Sequence, residues 1–313
     1  MSIRFLKSGL QTSVQDLGRT GLMRYGISRG GAADSVAMTL ANLLLGNPPE
    51  NPALEVTLTG PSVEFQCDIS IAIVGADFEL QLNNHDVESN RVLQIKCGDT
   101  LSFGGLRSGA RAYIAFSGQM ELPLVLDGFS TYLLGEFGGL EGRAIRAGDT
   151  IHFRRIRRVR PLCLEEKFRL KYTGHPRLRV VAGAEEPYFS DEAQRAFYRQ
   201  AFRVSAQSNR MGIRLSGDAL GVKEMPQLVS SGLCPGTIQV PPSGQPIVSF
   251  VEGQTIGGYP RIAHVISADQ HMLGQLKPND RASFSKVSLR QAREILAGKV
   301  RLMDQLQAAL AAQ

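Results

Sequence analysis

The chain has 313 residues, 43% of them hydrophobic and 20% charged, with 33 glycines, 15 prolines and no tryptophan. This is a globular composition long enough for two domains, and its many turn formers suit short strands better than a helical bundle. The net charge of +6 is a mild excess that serves solubility or draws in small carboxylates, and basic residues are not interleaved with aromatics, which argues against a nucleic-acid partner.

From the N-terminus, the first apolar run is broken by Arg4 and Lys7, so it makes no signal peptide. No stretch reaches the roughly 20 apolar residues of a membrane helix, so a cytoplasmic location away from membranes is expected. The run VQDLGR at 14–19 offers Asp16 for proton transfer and Arg19 for anion binding; alternatively, Asp16 organises the turn at Gly18. Residues 26–30 match G-x-S-x-G, the nucleophile elbow. The next helix begins only beyond Gly31, and strands and helices do not alternate later, so Ser28 is not read as a nucleophile.

A first helix is predicted from Ser35 to Leu45, with Asp34 as N-cap, Val36, Leu40, Leu43 and Leu44 on one face, and Gly46 and Pro48 at its end. Short apolar strands follow at 69–76, at Phe78, Leu80 and Leu82, at 92–95 and at 112–116, which argues for an antiparallel sheet or barrel. One unit recurs: GDTLSF at 98–103, GDTIHF at 148–153 and, more weakly, NDRASF at 279–284, each a turn feeding a strand. The basic run Arg154, Arg155, Arg157, Arg158 and Arg160, followed by Glu165 and Glu166, reads as a solvated inter-domain segment. The expected domains are residues 1–160 and residues 175–313. The second contains a helix after Ser190 and a long C-terminal helix opened by Ser288 and Gln291 in capping-box spacing. Leu289, Ala292, Leu296, Leu302, Leu306 and Leu310 follow a helical period along it.

The chain has no G-x-x-x-x-G-K-[ST] phosphate loop, no H-E-x-x-H and no Met-Lys-Met biotin site. The four cysteines and five histidines show no metal-ligand spacing, and no metal is expected. The richest polar stretch lies at 207–263, where Asn209, Arg210 and Gln239 sit among glycines. Glycine lets backbone N–H groups approach a ligand closely, and a guanidinium grips a carboxylate through two bonds. Gly257 and Gly258 could present adjacent donors to a developing oxyanion beside the Tyr259 hydroxyl; alternatively, this is a tight turn and Arg210 a surface ion pair.

Read together, VQDLGR (14–19), GGAAD (30–34), LLGN (44–47), ALE (53–55), GGLEGR (138–143), QSNRMG (207–212), PGTIQV (235–240) and GGYP (257–260) give the chain its family resemblance. It resembles the allophanate hydrolase subunit 2, or biotin-dependent carboxyltransferase, family, whose best-defined member type is the 5-oxoprolinase C subunit. The segment at 118–135 departs from the family's glycine- and serine-rich run. The resemblance implies a mainly β fold of two cyclophilin-like β-barrel domains with a few helices. It implies one component of an ATP-dependent 5-oxoprolinase, inactive alone, opening the lactam of 5-oxoproline to L-glutamate beside a subunit-1-like protein (the 5-oxoprolinase B subunit) and a third component (the 5-oxoprolinase A subunit). ATP would be used by the complex, not necessarily bound by this chain, and no biotin would be attached. The alternatives are a regulatory protein antagonising a subunit-1-like kinase inhibitor, and the carboxyltransferase part of a urea carboxylase-like system. Under the first reading Tyr259 and Asp16 are the candidate catalytic residues, and Asn209, Arg210, Gln239, Gly257 and Gly258 bind substrate.

Overall fold

The computed structural model describes residues 1–223 and 228–312. The chain forms two compact units: Met1–Arg19, Gly30–Tyr172 and the residues from Gln307 make the first, and Thr20–Arg29 with Thr173–Leu306 make the second. The division thus falls between Tyr172 and Thr173. The segment Thr20–Arg29 groups with the second unit and the end of the C-terminal helix with the first, pieces that sequence order alone assigns the other way.

In the first unit, the strands are β1 (Ser2–Lys7), β2 (Gln11–Gln15), β3 (Ala53–Thr57), β4 (Ser62–Phe65), β5 (Ile69–Leu82), β6 (His85–Val87), β7 (Val92–Ile95), β8 (Thr100–Phe116), β9 (Gln119–Met120) and β10 (Thr150–Arg154). They make one ten-stranded sheet with the path β2-β3-β8-β4-β1-β10-β9, and β5 joins through β8. This sheet is a half-barrel. Helix α1 (Ser35–Leu44) packs on β5 and β8. Its cap is the predicted one, with Asp34 Oδ1 accepting from the Ala37 N–H at 3.0 Å. The helix explains the two halves of β5: residues 69–74 are buried throughout, whereas farther along the strand the buried residues Phe78 and Leu80 alternate with exposed ones. Gly75 sits between the halves at φ +121°, where a Cβ would stand 2.5 Å from the Arg111 carbonyl oxygen, and the register with β8 shifts there. Ile3, Phe5, Val56, Phe65, Ile71, Ile73, Ile114 and Phe153 fill the core.

In the second unit, β11 (Arg177–Ala182), β12 (Phe202–Val204), β13 (Gly212–Ser216), β14 (Ser231–Gly232), β15 (Thr237–Gln239), β16 (Ile247–Ser249), β17 (Ile256–Gly257), β18 (Arg261–Val265) and β19 (Arg281–Lys286) include a closed barrel, β11-β18-β15-β16-β13-β12-β19. The first strand closes on the last in parallel, Arg177 opposite Ser283 and Val180 opposite Lys286. Helix α2 (Asp191–Arg199), capped by Ser190, drives Phe197 against Phe284 in a stacked pair 4.7 Å apart. Helices α3 (Gln270–Leu273) and α4 (Leu289–Ala312) follow. The capping box at α4 is present: the Ser288 N–H donates to Gln291 Oε1 at 2.9 Å, and the Gln291 N–H donates to Ser288 Oγ at 3.2 Å. Along the predicted apolar face of α4, only Leu306 and Leu310 are fully buried, while Leu289, Leu296 and Leu302 are exposed, so period alone overstated the packing. No helix among the described residues is long and apolar enough to cross a membrane.

The recurring turn has one geometry at all three places. The N–H of Gly98, Gly148 and Asn279 donates to the carbonyl of Phe65, Phe5 and Val204 respectively, and the N–H of each of those residues donates to the carbonyl of Asp99, Asp149 and Asp280. Each aspartate carboxylate also accepts a backbone N–H three residues upstream, from Lys96, Arg146 and Lys277. Gly98, Gly148 and Asn279 all have positive φ, the conformation that glycine and asparagine tolerate.

Candidate functional site

In the second unit, the short strands β14 and β17 pair antiparallel, with Ser231 opposite Gly257. A Cβ at Gly257 would lie 2.5 Å from Leu233 Cδ1, 2.8 Å from Gln239 Nε2 and 3.0 Å from Gln254 Nε2, so glycine is what lets these groups converge. The buried Gln239 amide donates to the Tyr259 carbonyl at 3.3 Å. Gly258 is exposed and Tyr259 is 47% exposed. The structure therefore gathers Gln239, Gly257 and the Tyr259 backbone into one corner whose outer edge faces solvent.

Residues 209–211 are tied to the turn at 250–253 instead. The Glu252 N–H donates to the Arg210 carbonyl at 2.8 Å and the Phe250 N–H to the Met211 carbonyl at 3.0 Å. The Arg210 guanidinium donates through Nε to the Glu252 carboxylate, and both side chains are buried. Arg210 is thus in a buried ion pair with Glu252 rather than a surface one. Asn209 is exposed, and its Oδ1 accepts the N–H of Met211 at 2.8 Å and of Gly212 at 3.3 Å, an Asx turn that fixes the loop. Ser28 is buried and donates to the Gly253 carbonyl at 2.6 Å, a strut for the same turn rather than a nucleophile.

Below the corner, Arg261 is held by Glu185. Its Nε donates to Oε2 at 2.5 Å, its backbone N–H donates to Oε2 at 3.1 Å, and Nη2 donates to Oε1. These bonds hold the Glu185 carboxyl below the usual range for glutamate. Nothing local in the sequence announces Glu185 or Glu252, which lie 76 and 42 residues from their arginines; the only signal is an arginine within or beside each motif.

Asp16 lies in the first unit and is buried. Its carboxylate accepts from the Gly18 N–H at 2.7 Å, from the Phe129 N–H at 2.6 Å and from the Ser130 hydroxyl. Arg19 donates to the carbonyls of Val125 at 3.0 Å and Ser130 at 2.9 Å and lies over the Phe137 ring. Both residues organise the segment at 125–138, and the bond from Gly18 is the turn arrangement that the sequence offered as the alternative for Asp16.

The motifs GGAAD and ALE meet in a second buried network of that unit. Glu55 accepts from the Ala33 N–H at 2.8 Å and the Tyr113 hydroxyl at 2.7 Å, and lies 3.4 Å from Arg111 Nε. The Asp34 N–H donates to the Tyr113 oxygen at 2.7 Å, and the Tyr172 hydroxyl donates to Asp34 Oδ2 at 2.7 Å. Burial first, then the charges of Glu55 and Asp34, pushes the Tyr113 phenol well above its ordinary value, so it stays a neutral donor. Sequence reasoning missed this network because its members are spread across the fold. Among the described residues, no group of three or more His, Cys, Asp and Glu could hold a metal ion.

Comparison with known proteins gives this geometry a context. The family model for the carboxyltransferase domain, subdomain A and B, matches residues 25–286. The 5-oxoprolinase C subunit of Escherichia coli (strain K12) is 38% identical over 304 residues, covering 97% of each chain. The protein of the same name from Haemophilus influenzae is 34% identical, covering 95% of this chain and 94% of its own. The crystal structure of the K. lactis urea amidolyase superposes with a TM-score of 0.92 at 28% identity, over 97% of this chain and 20% of that one.

Proposed function

Because the chain belongs to the family of carboxyltransferase domains with subdomains A and B, we propose that it is one component of an ATP-dependent 5-oxoprolinase, active with two partner proteins in opening 5-oxoproline to L-glutamate. The observation that carries the reading is the solvent-edged corner of Gln239, Gly257, Gly258 and Tyr259 in a chain aligned with the 5-oxoprolinase C subunit over 97% of both lengths.

A lactam is resonance-stabilised and water opens it slowly. Phosphorylation of the amide oxygen by ATP, used by the complex, leaves an electrophilic carbon and a good leaving group. Water adds to that carbon and the ring C–N bond breaks, its electron pair leaving with the amine, which takes up a proton; the acyl phosphate so formed is hydrolysed by a second water to the side-chain carboxylate of glutamate and free phosphate. The backbone N–H groups at 257–258 and the Tyr259 hydroxyl would donate to oxygen as it gains charge. The Gln239 amide and the exposed Asn209 would orient the substrate, while Arg210–Glu252 and Arg261–Glu185 keep the loops in place. No covalently attached biotin enters this scheme.

The test is reconstitution with a subunit-1-like protein and the third component, followed by an assay of glutamate release from 5-oxoproline with ATP. ATP-dependent glutamate formation that needs this chain and falls in Tyr259→Phe upholds the reading. A complex that assembles, hydrolyses no ATP in response to 5-oxoproline and releases no glutamate overturns it.

A further inference from the structure

Gln239 ends β15, and it is only 6% exposed. The register with β18 shifts between Ile238 and Gln239, the kind of irregularity that re-aims a side chain. Arg261 stands opposite it on β18, but that guanidinium is taken up by Glu185. Gln239 is thus a neutral amide, buried beside a rim that meets solvent.

The hydrogen bonds fix which way that amide points. Its nitrogen donates to the Tyr259 carbonyl at 3.3 Å, and the reversed amide would set one carbonyl oxygen against another. The nitrogen also lies against the bare Cα of Gly257, where a Cβ would stand 2.8 Å from it. Oε1 is the remaining half. Among the described residues it accepts no hydrogen bond, and yet it is not sealed from solvent: the sealed side-chain oxygens without a partner are Gln15 Oε1 and Thr131 Oγ1, both in the first unit. An acceptor on a side chain this buried, with its donor half engaged and its oxygen reachable, is complementary to a ligand N–H. To a substrate carboxylate the same oxygen offers only repulsion.

We infer that Gln239 Oε1 accepts the ring N–H of the substrate, which rests on the 5-oxoprolinase reading above and names the group that its site selects. In a five-membered lactam the carbonyl oxygen and the N–H share one edge of the ring, whereas in an open-chain secondary amide, which is trans, they point apart. A substrate whose oxygen meets the exposed donors at 258–259 therefore brings its N–H to the same corner. Phosphorylation of the ring oxygen makes that N–H more acidic and its bond to Oε1 stronger, and the proton kept on nitrogen keeps the carbon electrophilic. Once the C–N bond has broken, the same oxygen accepts from the amine. Gln239 thereby separates cyclic amides that carry an N–H from rings of equal size that carry none.

The experiment uses the complex reconstituted with both partner proteins. With a non-hydrolysable ATP analogue present, so that nothing turns over, calorimetric titration compares 5-oxoproline with its cyclopentanone analogue, which has CH₂ in place of the ring N–H. In the wild-type complex 5-oxoproline should bind about tenfold more tightly, as expected for one hydrogen bond. Gln239→Met, close in shape and without an acceptor oxygen, should weaken 5-oxoproline about tenfold and shift the ketone less than about twofold, which closes the gap. The unchanged ketone affinity reports an intact site. Equal affinity for the two rings in the wild-type complex, or a gap that survives in Gln239→Met, would overturn the inference while glutamate release still upholds the 5-oxoprolinase reading. A complex that releases no glutamate overturns both.

Discussion

Asp16 in the first unit and Gln239 in the second are both buried polar side chains set among glycines, and both sit in motifs that catch the eye in the sequence. Asp16 is closed in: two backbone N–H groups and a hydroxyl donate to its carboxylate. Gln239 lies under a rim where Gly258 and Tyr259 meet solvent. A polar group saturated by its own chain builds a turn, while one beneath an open, glycine-spaced edge can meet a ligand. The same contrast separates Arg210, sealed against Glu252, from its exposed neighbour Asn209.

Unfolding free energy should rank these residues by how closed each one is. Arg210→Ala leaves the Glu252 charge buried and alone and should cost about 3–5 kcal/mol, read from chemical denaturation. Asp16→Ala strands three donors and should cost about 3 kcal/mol. If either variant stays within about 0.5 kcal/mol of wild type, the range of ordinary surface changes, the comparison breaks. Gly257→Ala forces Leu233 and Gln239 aside and should cost about 1–3 kcal/mol. Smaller again is an acid-side effect at Glu185. Its folded carboxyl titrates below the ordinary 4.5, so the Arg261 pair contributes fully above that value and is lost as pH falls through the depressed one. Glu185→Gln should remove that slope from a plot of stability against pH. Tyr259→Phe comes last, within about 0.5 kcal/mol of wild type, yet it should lower turnover in the reconstituted complex about 100-fold. That inversion of rank would sharpen the distinction between building residues and working ones.

Local features were well read from the sequence, because their causes lie within a few residues. Asp34, Ser190 and the Ser288–Gln291 box cap their helices, and the recurring turn shares one hydrogen-bond pattern at three places. The mainly β class and the family resemblance were also legible. The partners of charged groups were not, since Arg210 finds Glu252 and Arg261 finds Glu185 only after the barrel has formed. A guanidinium looks the same in a sequence whether it ends on a ligand or on a buried carboxylate. The apolar period of α4 likewise records which residues share a face, not whether anything covers it.

The seam between β11 and β19 also bears on how the second unit is made. About a hundred residues separate the two strands, and such non-local pairing folds slowly. While the polypeptide emerges from a ribosome, the ring stays unshut until Lys286 has been delivered, and Phe197 and Phe202 wait for Phe284. Throughout that interval the nascent barrel exposes strand edges and aromatic surface, so shielding by holdase chaperones should matter until the last strand has been delivered.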